Sequence, residues 1–430
     1  MNKITIHLLG MALCASLFAS SVWAGGAYLY ELGTPDLGAA AAGRAALAQD
    51  ASTVVGNPAG MTRLDHSELT TSLYTILPSL QFRREPGTTA SGGNGFNAGV
   101  SIPSAGSASI PIPAGGFFYV HSLSPDLKVG AGFGSGFGAG LQYGKEWVGR
   151  YYIQKSQLLT FTLNPGAAYR VNDWLSIGAG FSVTYALLSQ TAAVNNILDR
   201  LPDGRLKFKD DDFGFGGNVG LLLELSSRTR VGLTYRSPVD FSYKDNLKLT
   251  NVGPGLTRLL NKKVELGQTA PQTVMLSGYH ELTDQLAVMG NFGWQNWKEF
   301  GQVDVAISSD TASQSLTTDA HFHDTWHGAI GMQYRIASAM LFSAGFAYDS
   351  SPVSKFHRTP ALPLDRNLRF GAGLQCVVGK DATVGLTYEF LDGGSAEIAN
   401  LHRGPLAGAL QGHYSTNYIN FVSLNVIKRF

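Results

Sequence analysis

The chain has 430 residues, a net charge of +1 and 15% charged residues, which is low beside the roughly 25% typical of soluble domains. No run of Lys or Arg forms a basic stripe, so the sequence does not indicate a nucleic-acid partner. After the first two dozen residues no stretch approaches 18 continuous apolar residues, which excludes membrane-spanning helices.

Residues 1–24 have the pattern of a secretory signal peptide. Lys3 supplies the positive start, an apolar run follows from about residue 8 to residue 17, and Val22-Trp23-Ala24 fits the small-x-small cleavage rule. The apolar run is too short to span a membrane. We therefore expect export and cleavage before Gly25, with an uncleaved anchor helix as the alternative.

Residues 25–65 do not have the alternation of strands. The alanine-rich run from Ala39 to Ala48 favours short helices, and the segment carries too little charge for a solvated tail. In a wide barrel a segment of this kind would fill the lumen. We therefore predict a mostly helical N-terminal plug, or hatch.

Residues 66–430 repeat one pattern of alternating strand, short polar turn, alternating strand and long loop. In the clearest case one strand face is apolar and the other is small or polar. The apolar face holds Ala382, Val384, Leu386, Tyr388 and Phe390, and between them stand Thr383, Gly385, Thr387 and Glu389. Counting such strands gives about 14, with starts near residues 67, 114, 127, 154, 174, 213, 230, 271, 285, 322, 339, 366, 382 and 416.

The two ends of these strands differ, which favours a membrane barrel over a soluble sandwich. Short turns such as 124–126 and 379–381 fall at one end, whereas long loops such as 86–113 and 195–212 fall at the other. A protein that meets lipid without apolar helices must satisfy its backbone groups in a closed barrel. We predict an all-β transmembrane barrel of about 14 antiparallel strands in the bacterial outer membrane. The terminal Phe430 agrees with this location.

Several segments carry a family resemblance. They are residues 26–31 (GAYLYE), 48–54 (AQDASTV), 57–61 (NPAGM), 291–297 (NFGWQNW), 322–326 (FHDTW) and 348–353 (YDSSPV). In this order they resemble the outer-membrane long-chain fatty acid transporter family, FadL with aromatic-hydrocarbon relatives of the TodX type. The resemblance implies a 14-stranded barrel with an N-terminal hatch. It also implies capture of cargo among the outer loops, transfer to a deeper pocket, and lateral release beside a kink in the third strand.

The third predicted strand is rich in glycine, with residues 130–140 reading GAGFGSGFGAG. Glycine weakens a strand and marks bulges or close backbone approach, so an ordinary rigid wall is not expected here. We interpret Gly134, Gly136, Phe137 and Gly138 as a lateral gate. The alternative is a packed stretch where the plug presses on the wall.

Two long loops carry apolar side chains at helical spacing. Such residues are costly in solvent unless they pack together or hold cargo. We interpret them as a capture groove, with a small loop-capping core as the alternative. They are Ile197, Leu198 and Leu201 in one loop, and Leu256, Leu259 and Leu260 in the other.

The plug supplies two further candidate sites. Asn57-Pro58-Ala59 has the composition of a turn that ends a helix, and by resemblance it is a hatch element needed for transport. We interpret Tyr28, Leu29 and Tyr30 as lining a deep pocket, with plug-to-wall packing as the alternative. His323 is added to this pocket, because the resemblance implies a lysine there in fatty-acid-carrying members.

The sequence leaves two cargo classes open, long-chain fatty acids and neutral aromatic or alkane hydrocarbons. A carboxylate in a dry pocket needs a fixed cation. The resemblance implies an arginine in the fifth strand of fatty-acid members, where this chain reads YALLSQ at residues 185–190, and this difference favours neutral cargo. His321, His323 and His327 are expected to point inward as polar lumen residues, since no carboxylate or cysteine stands at a metal-ligand spacing.

No catalytic motif is present, neither a Gly-x-Ser-x-Gly elbow nor His-Glu-x-x-His. We therefore expect no enzymatic activity, no catalytic residue, no metal and no cofactor. The prediction is a monomeric protein for passive uptake of hydrophobic compounds, in contact with outer-membrane lipid and lipopolysaccharide. A structural or adhesive barrel with a sealed lumen is the alternative.

Overall fold

The computed structural model describes residues 27–28, 32–90, 105–196, 201–260, 262–309, 312–402 and 407–430. The predicted signal peptide, residues 1–24, lies outside these residues. The described chain is mostly strand, with a few short helices. None of these helices is both long and apolar enough to cross a membrane.

The strands are numbered in chain order. The first twelve are β1 (Ala27–Tyr28), β2 (Glu68–Arg84), β3 (Ala105–Ala108), β4 (Ile112–Ser122), β5 (Leu127–Gly134), β6 (Phe137–Gln142), β7 (Lys155–Asn172), β8 (Leu175–Val194), β9 (Gly204–Ser226), β10 (Thr229–Arg236), β11 (Val239–Asn246) and β12 (Lys248–Thr250). The others are β13 (Lys263–Ala270), β14 (Thr273–Glu281), β15 (Leu286–Gln295), β16 (Gln302–Ser309), β17 (Ala312–Asp319), β18 (Thr325–Ala337), β19 (Met340–Asp349), β20 (Asn367–Val378), β21 (Ala382–Asp392), β22 (Ile398–His402) and β23 (Ala409–Arg429). The helices are Pro35–Ala39, Arg44–Leu47, Thr53–Gly56, Pro58–Arg63, Pro254–Leu260 and Trp297–Phe300.

The wall is a closed antiparallel barrel of 14 strands, which confirms the predicted fold class. The last strand, β23, pairs with β2 and closes the ring. Two strands start earlier than the sequence predicts, β9 at Gly204 and β23 at Ala409, because their outer ends run on beyond the apolar band. Around the ring the order is β2, β4, β5 with β6, β7, β8, β9, β10, β14, β15, β18, β19, β20, β21 and β23.

Side chains along the wall alternate between outward and inward positions. On β21 the outward Leu386 and Tyr388 are 59% and 44% exposed, whereas the inward Thr387 and Glu389 are 1% exposed. A soluble sandwich would turn its apolar face inward instead. An apolar face toward lipid and a polar face toward the lumen is the alternation of outer-membrane strands.

The outer end of the barrel carries additional structure. Strands β11, β13, β16 and β17 form a separate four-stranded sheet, and a large apolar core packs beneath the long loops. At the opposite end short turns such as 123–126 and 379–381 join neighbouring strands. This difference between the ends assigns the short turns to the periplasm and the long segments to the outside.

Residues 32–64 lie within the ring of wall strands and are mostly buried. The helix Pro35–Ala39 contacts β19, β20 and β21, whereas the helix Pro58–Arg63 contacts β7, β8 and β9 across the lumen. Of residues 25–31 the structure describes only β1, whose backbone pairs with β6. This placement is consistent with the plug predicted for residues 25–65, and we call the described part, residues 32–64, the hatch.

Candidate functional site

Asn57 attaches the hatch to the wall. It is fully buried between the helices Thr53–Gly56 and Pro58–Arg63. Its Nδ2 donates to the carbonyl oxygen of Ala45 at 2.6 Å and to that of Leu221 in β9 at 2.9 Å. Its Oδ1 accepts from the Ala59 N–H at 3.1 Å. Asn57-Pro58-Ala59 therefore forms a turn whose shape is fixed by both the hatch and the wall.

Wall glycines allow the hatch to approach the sheet closely. A Cβ atom at Gly220 would overlap Asn57 Oδ1 and would stand 2.9 Å from Asn57 Cγ and 3.2 Å from Pro58 Cδ. A Cβ atom at Gly178 would stand 2.5 Å from the Pro58 carbonyl carbon and 2.9 Å from Ala59 Cα. Only residues without a side chain fit at these two wall positions.

Three wall arginines bind the ends of the hatch helices. The last carbonyl groups of a helix have no partner within it, and cationic side chains satisfy them well. Each guanidinium here satisfies carbonyl groups near the C-terminus of a different helix. Arg230 donates to Ala46 at 2.6 Å and Leu47 at 2.8 Å, Arg236 to Val55 at 2.9 Å, and Arg170 to Thr62 at 2.6 Å.

The third wall strand is interrupted within its glycine-rich segment. β5 ends at Gly134 and β6 begins at Phe137, with Ser135 and Gly136 between them. β5 pairs with both β4 and β7, whereas β6 pairs with β7 and β1. Over the described residues no pairing joins β6 to β4. The wall therefore has a gap between β6 and residues 112–116 of β4.

A cavity of about 540 Å³ extends from the lumen to this gap. Its lining includes Tyr74 and Phe421, which point inward and are buried, and Phe133 and Phe161, which point outward and are each 46% exposed. The volume lies within the range of about 300–1,000 Å³ that is typical of small-molecule pockets. Beside the gap the lining residues are Ile112, Pro113, Ala114, Gly138, Gly140 and Leu141.

The predicted gate residues lie at the break in the strand. Gly134 and Gly136 line a second cavity of about 50 Å³ on the hatch side, together with Leu32 and Val55. Gly138 lines the larger cavity. Phe137 is the first residue of β6, and only its backbone is described. The structure thus brings the four residues together between two cavities.

Charged side chains border the larger cavity from within the lumen. Arg369 is part of the lining and is 2% exposed. Its guanidinium forms an ion pair with Asp349, and its Nε lies 3.7 Å from Glu389 Oε1. His327 Nδ1 lies 2.9 Å from the Asp349 carboxylate. Sequence patterns do not reveal this group, because its members come from four strands.

The predicted deep-pocket residues are only partly described. Leu29 and Tyr30 lie outside the described residues, and Tyr28 is described only by its backbone, which pairs with Phe137. His323 is exposed in an outer loop, where its backbone N–H donates to the Pro352 carbonyl oxygen at 2.9 Å. It is not part of the lining of the 540 Å³ cavity.

Of the three histidines expected to point inward, only His327 does so. It is 1% exposed, whereas His321 and His323 are exposed. The expectation is wrong for these two because β18 begins at Thr325, so the inward and outward alternation does not extend to residues before it. Among the residues that the structure describes, no group of His, Cys, Asp and Glu has a metal-binding arrangement.

The predicted capture groove divides between buried and exposed residues. Leu256 and Leu260 are each 1% exposed and belong to the outer apolar core, as the loop-capping alternative predicts. Leu259 lies in the same helix, and its side chain is not described. Leu201 is 49% exposed. Ile197 and Leu198 lie outside the described residues.

An aromatic cluster that the sequence patterns do not predict lies at the outer ends of β2 and β6. The Tyr143 and Trp147 rings stack with centroids 4.0 Å apart, and Phe82 packs edge-on against Trp147 at 5.9 Å. Burial raises the pKa of the Tyr143 hydroxyl, which stays protonated and donates to the Pro360 carbonyl oxygen at 2.8 Å. This bond ties the segment after β6 to the loop that contains the lining residue Leu362.

Comparison with known sequences gives one family and several relatives. A family model described as outer membrane protein transport protein (OMPP1/FadL/TodX) matches residues 15–430. The long-chain fatty acid transport protein of Escherichia coli O6:H1 is 27% identical over 415 residues, which cover 89% of this chain and 90% of that protein. Outer membrane protein P1 of Haemophilus influenzae is 27% identical over 91% of each chain.

Solved structures show a similar fold. A Pseudomonas aeruginosa FadL homologue matches with a TM-score of 0.80 and 19% identity, over 92% of this chain and 98% of that chain. The Ralstonia pickettii toluene transporter TbuX matches with a TM-score of 0.67 and 18% identity, over 94% of this chain and 100% of that chain. At these identities the similarity establishes the barrel fold alone.

Proposed function

This chain belongs to the outer membrane protein transport family (OMPP1/FadL/TodX), and we propose that it carries hydrophobic small molecules passively across the outer membrane by lateral release. The Escherichia coli relative is named a transport protein and the Ralstonia pickettii protein a toluene transporter, which supports a transport role over an enzymatic one. The proposal rests mainly on the 540 Å³ cavity, because its lining includes both lumen-facing Phe421 and lipid-facing Phe161.

The physical chemistry of the cargo favours such a route. Each CH2 group that moves from an apolar site into water costs about 0.8 kcal/mol, so a water-filled channel opposes the passage of alkyl or aromatic compounds. Exit through the gap between β4 and β6 takes cargo directly into lipid. We propose that residues 25–65 act as the plug that closes the axial path. The Asn57 bonds and the three arginine contacts support this role.

We propose that cargo first binds among the outer loops. Leu201 and Phe356 are 49% and 63% exposed there, although Leu256 and Leu260 are already packed in the outer core. From the loops the cargo enters the cavity beside Leu362, Pro363 and Leu364, which form part of its lining.

Neutral hydrocarbon is the cargo class that the charges of the cavity favour. Arg369 is the basic residue of the described lining, and the carboxylates of Asp349 and Glu389 offset its charge. Among the described residues that line this larger cavity, a fatty acid head group would therefore meet no uncompensated cation, which a desolvated carboxylate needs. Long-chain fatty acids are the second candidate, because Arg369 reaches the cavity and a relative is named for that cargo.

Uptake by cells tests both the transport role and the cargo class. The chain is expressed in a Gram-negative host that lacks its own transporters of this family, and uptake of radiolabelled toluene and palmitate is measured. We expect the chain to raise toluene uptake severalfold and to leave palmitate uptake at the level of the empty vector. No increase for either compound would refute transport, whereas an increase for palmitate alone would refute neutral cargo.

Glu389→Gln should change the preference between the two cargo classes. Removal of one carboxylate leaves more positive charge on Arg369 at the edge of the cavity. We therefore expect palmitate to bind the purified protein at least fivefold more tightly, with toluene binding unchanged. The control Glu397→Gln removes the same charge from an outer loop, outside the lumen. It should change neither palmitate binding nor toluene binding. Unchanged palmitate binding in a folded Glu389→Gln variant would show that this charge balance does not select cargo.

A further inference from the structure

The outer end of β9 presents three cations on its lipid-facing side. In this strand the odd-numbered residues point outward, as the 57% and 61% exposure of Phe213 and Phe215 shows. β9 pairs with β8 in unbroken register from Gly204 to Leu223, so the same alternation holds along this whole length. Arg205, Lys207 and Lys209 therefore point outward as well.

Neighbouring strands extend this patch across the wall. One row of paired residues crosses four strands. Lys155 of β7 pairs with Thr191 of β8, and Thr191 pairs with Lys207 of β9. On its other side Lys207 pairs with Lys248 of β12. Directly paired strands are about 4.8 Å apart, and alternate residues along one strand are about 7 Å apart. We call Lys155, Arg205, Lys207, Lys209 and Lys248 the outer cationic patch. Its members lie on one face of the wall, in β7, β9 and β12, and β8 separates Lys155 from the others.

The depth of the patch in the membrane follows from the residues below it. Continuing down the outward face of β9, Asp211 is followed by Phe213 and Phe215 and then by Val219. Rings from β8 join this band, with Tyr185 and Phe213 centroids 5.1 Å apart. Aromatic bands mark the edge of the hydrocarbon region in outer-membrane barrels. The patch therefore lies just outside the hydrocarbon region, from the lipid head groups of the outer leaflet at Lys209 outward.

Protein stability does not account for these charges. Like charges directly opposite each other on paired strands destabilise a sheet, and Lys207 and Lys248 are such a pair. Among the described residues, the acidic groups that face the patch are Asp211 on the same face and Asp245, whose carboxylate lies 3.5 Å from Lys248 Nζ, while the nearby Asp203 is already bound by Arg150. Five cations against two carboxylates leave an excess of positive charge for an external anion to neutralise.

We propose that the outer cationic patch binds the phosphate groups of a phosphorylated glycolipid of the outer leaflet. Several Lys and Arg residues at head-group level attract anionic lipid, and charged hydrogen bonds to phosphate are among the strongest in proteins. The acyl chains of the same molecule pack against the aromatic and aliphatic band below. One lipid thus contacts both parts of this surface, which a soluble polyanion does not.

The test uses the full barrel in detergent micelles, with lipid A as the probe and native mass spectrometry as the readout. The variant Arg205→Gln/Lys207→Gln/Lys209→Gln should bind lipid A at least tenfold more weakly than the parent chain. Dephosphorylated lipid A should bind the parent equally weakly. The control Arg258→Gln/Lys298→Gln/Lys355→Gln removes the same charge from exposed positions in other outer segments and should bind lipid A like the parent.

Three outcomes would overturn the proposal. They are equal binding by the patch variant and the parent, equal losses in the patch and control variants, and binding that is insensitive to removal of the phosphates. Competition by a soluble sulfated polysaccharide at equal charge should be weak. Full displacement of lipid A by that polymer would be a fourth outcome against the proposal, because it would show that the surface recognises polyanions in general.

Discussion

Replacing Gly140 by Trp is expected to reduce hydrocarbon uptake to the level of the empty vector. A Cβ atom at this position meets only the Cδ1 of Ile112, at 3.1 Å, so a side chain here projects across the gap toward β4. The Ile112 contact involves the end of a flexible side chain that can move aside. The indole then fills the opening through which cargo would leave. Uptake of radiolabelled toluene by whole cells measures the effect.

Gly144→Trp is the matched control for this substitution. It lies four residues further along the chain, a Cβ atom there meets nothing within 4 Å, and it is not part of the cavity lining. It should leave uptake unchanged, and both variants should keep the heat-dependent gel migration of a folded barrel. A folded Gly140→Trp variant with normal uptake would exclude this gap as the exit.

Gly220→Ala is expected to loosen the hatch and to lower the free energy of unfolding by about 1–3 kcal/mol, the usual cost of overpacking. The added methyl group overlaps the Asn57 carboxamide, which must then give up its hydrogen bonds to Ala45 and Leu221. Urea unfolding in lipid vesicles measures the stability. Limited proteolysis should release fragments of residues 25–65 sooner than in the parent chain.

Gly278→Ala provides the control for Gly220→Ala, because it makes the same change in wall strand β14, where a Cβ atom meets nothing within 4 Å. Its stability and proteolysis should match those of the parent chain. If Gly220→Ala behaves like this control, contact between the wall and Asn57 does not hold the hatch in place.

The gap and the hatch are linked through the N-terminus. β6 turns away from β4, and the backbone edge that it exposes pairs with β1, where Ala27 stands opposite Gly138. An unpaired sheet edge in lipid is very costly, because each unsatisfied backbone group costs several kcal/mol. A short N-terminal strand at this edge lowers that cost while leaving β4 and β6 apart. The strand Ala27–Tyr28 therefore contributes to the gap itself.

The sequence by itself determined the wall of this barrel. Each strand carries its own alternation of apolar and polar residues, and this local pattern places β5 at Leu127 and β21 at Ala382, as predicted. The glycine-rich segment 130–140 likewise indicated a weak point in the third strand, since the effect of glycine on a strand is local. The family resemblance implied the same two features, a 14-stranded wall and a kink in the third strand.

Only the tertiary structure decided which residues surround the cavity. Arg369, Asp349, Glu389 and His327 come from four strands, and their compensated charge emerges only when the ring is closed. The prediction from alternation was wrong where it was extended to residues before the start of β18. His323 was expected in the lumen, but it lies in an outer loop. Periodicity reports which way a strand residue faces, whereas a pocket depends on contacts between residues far apart in the chain.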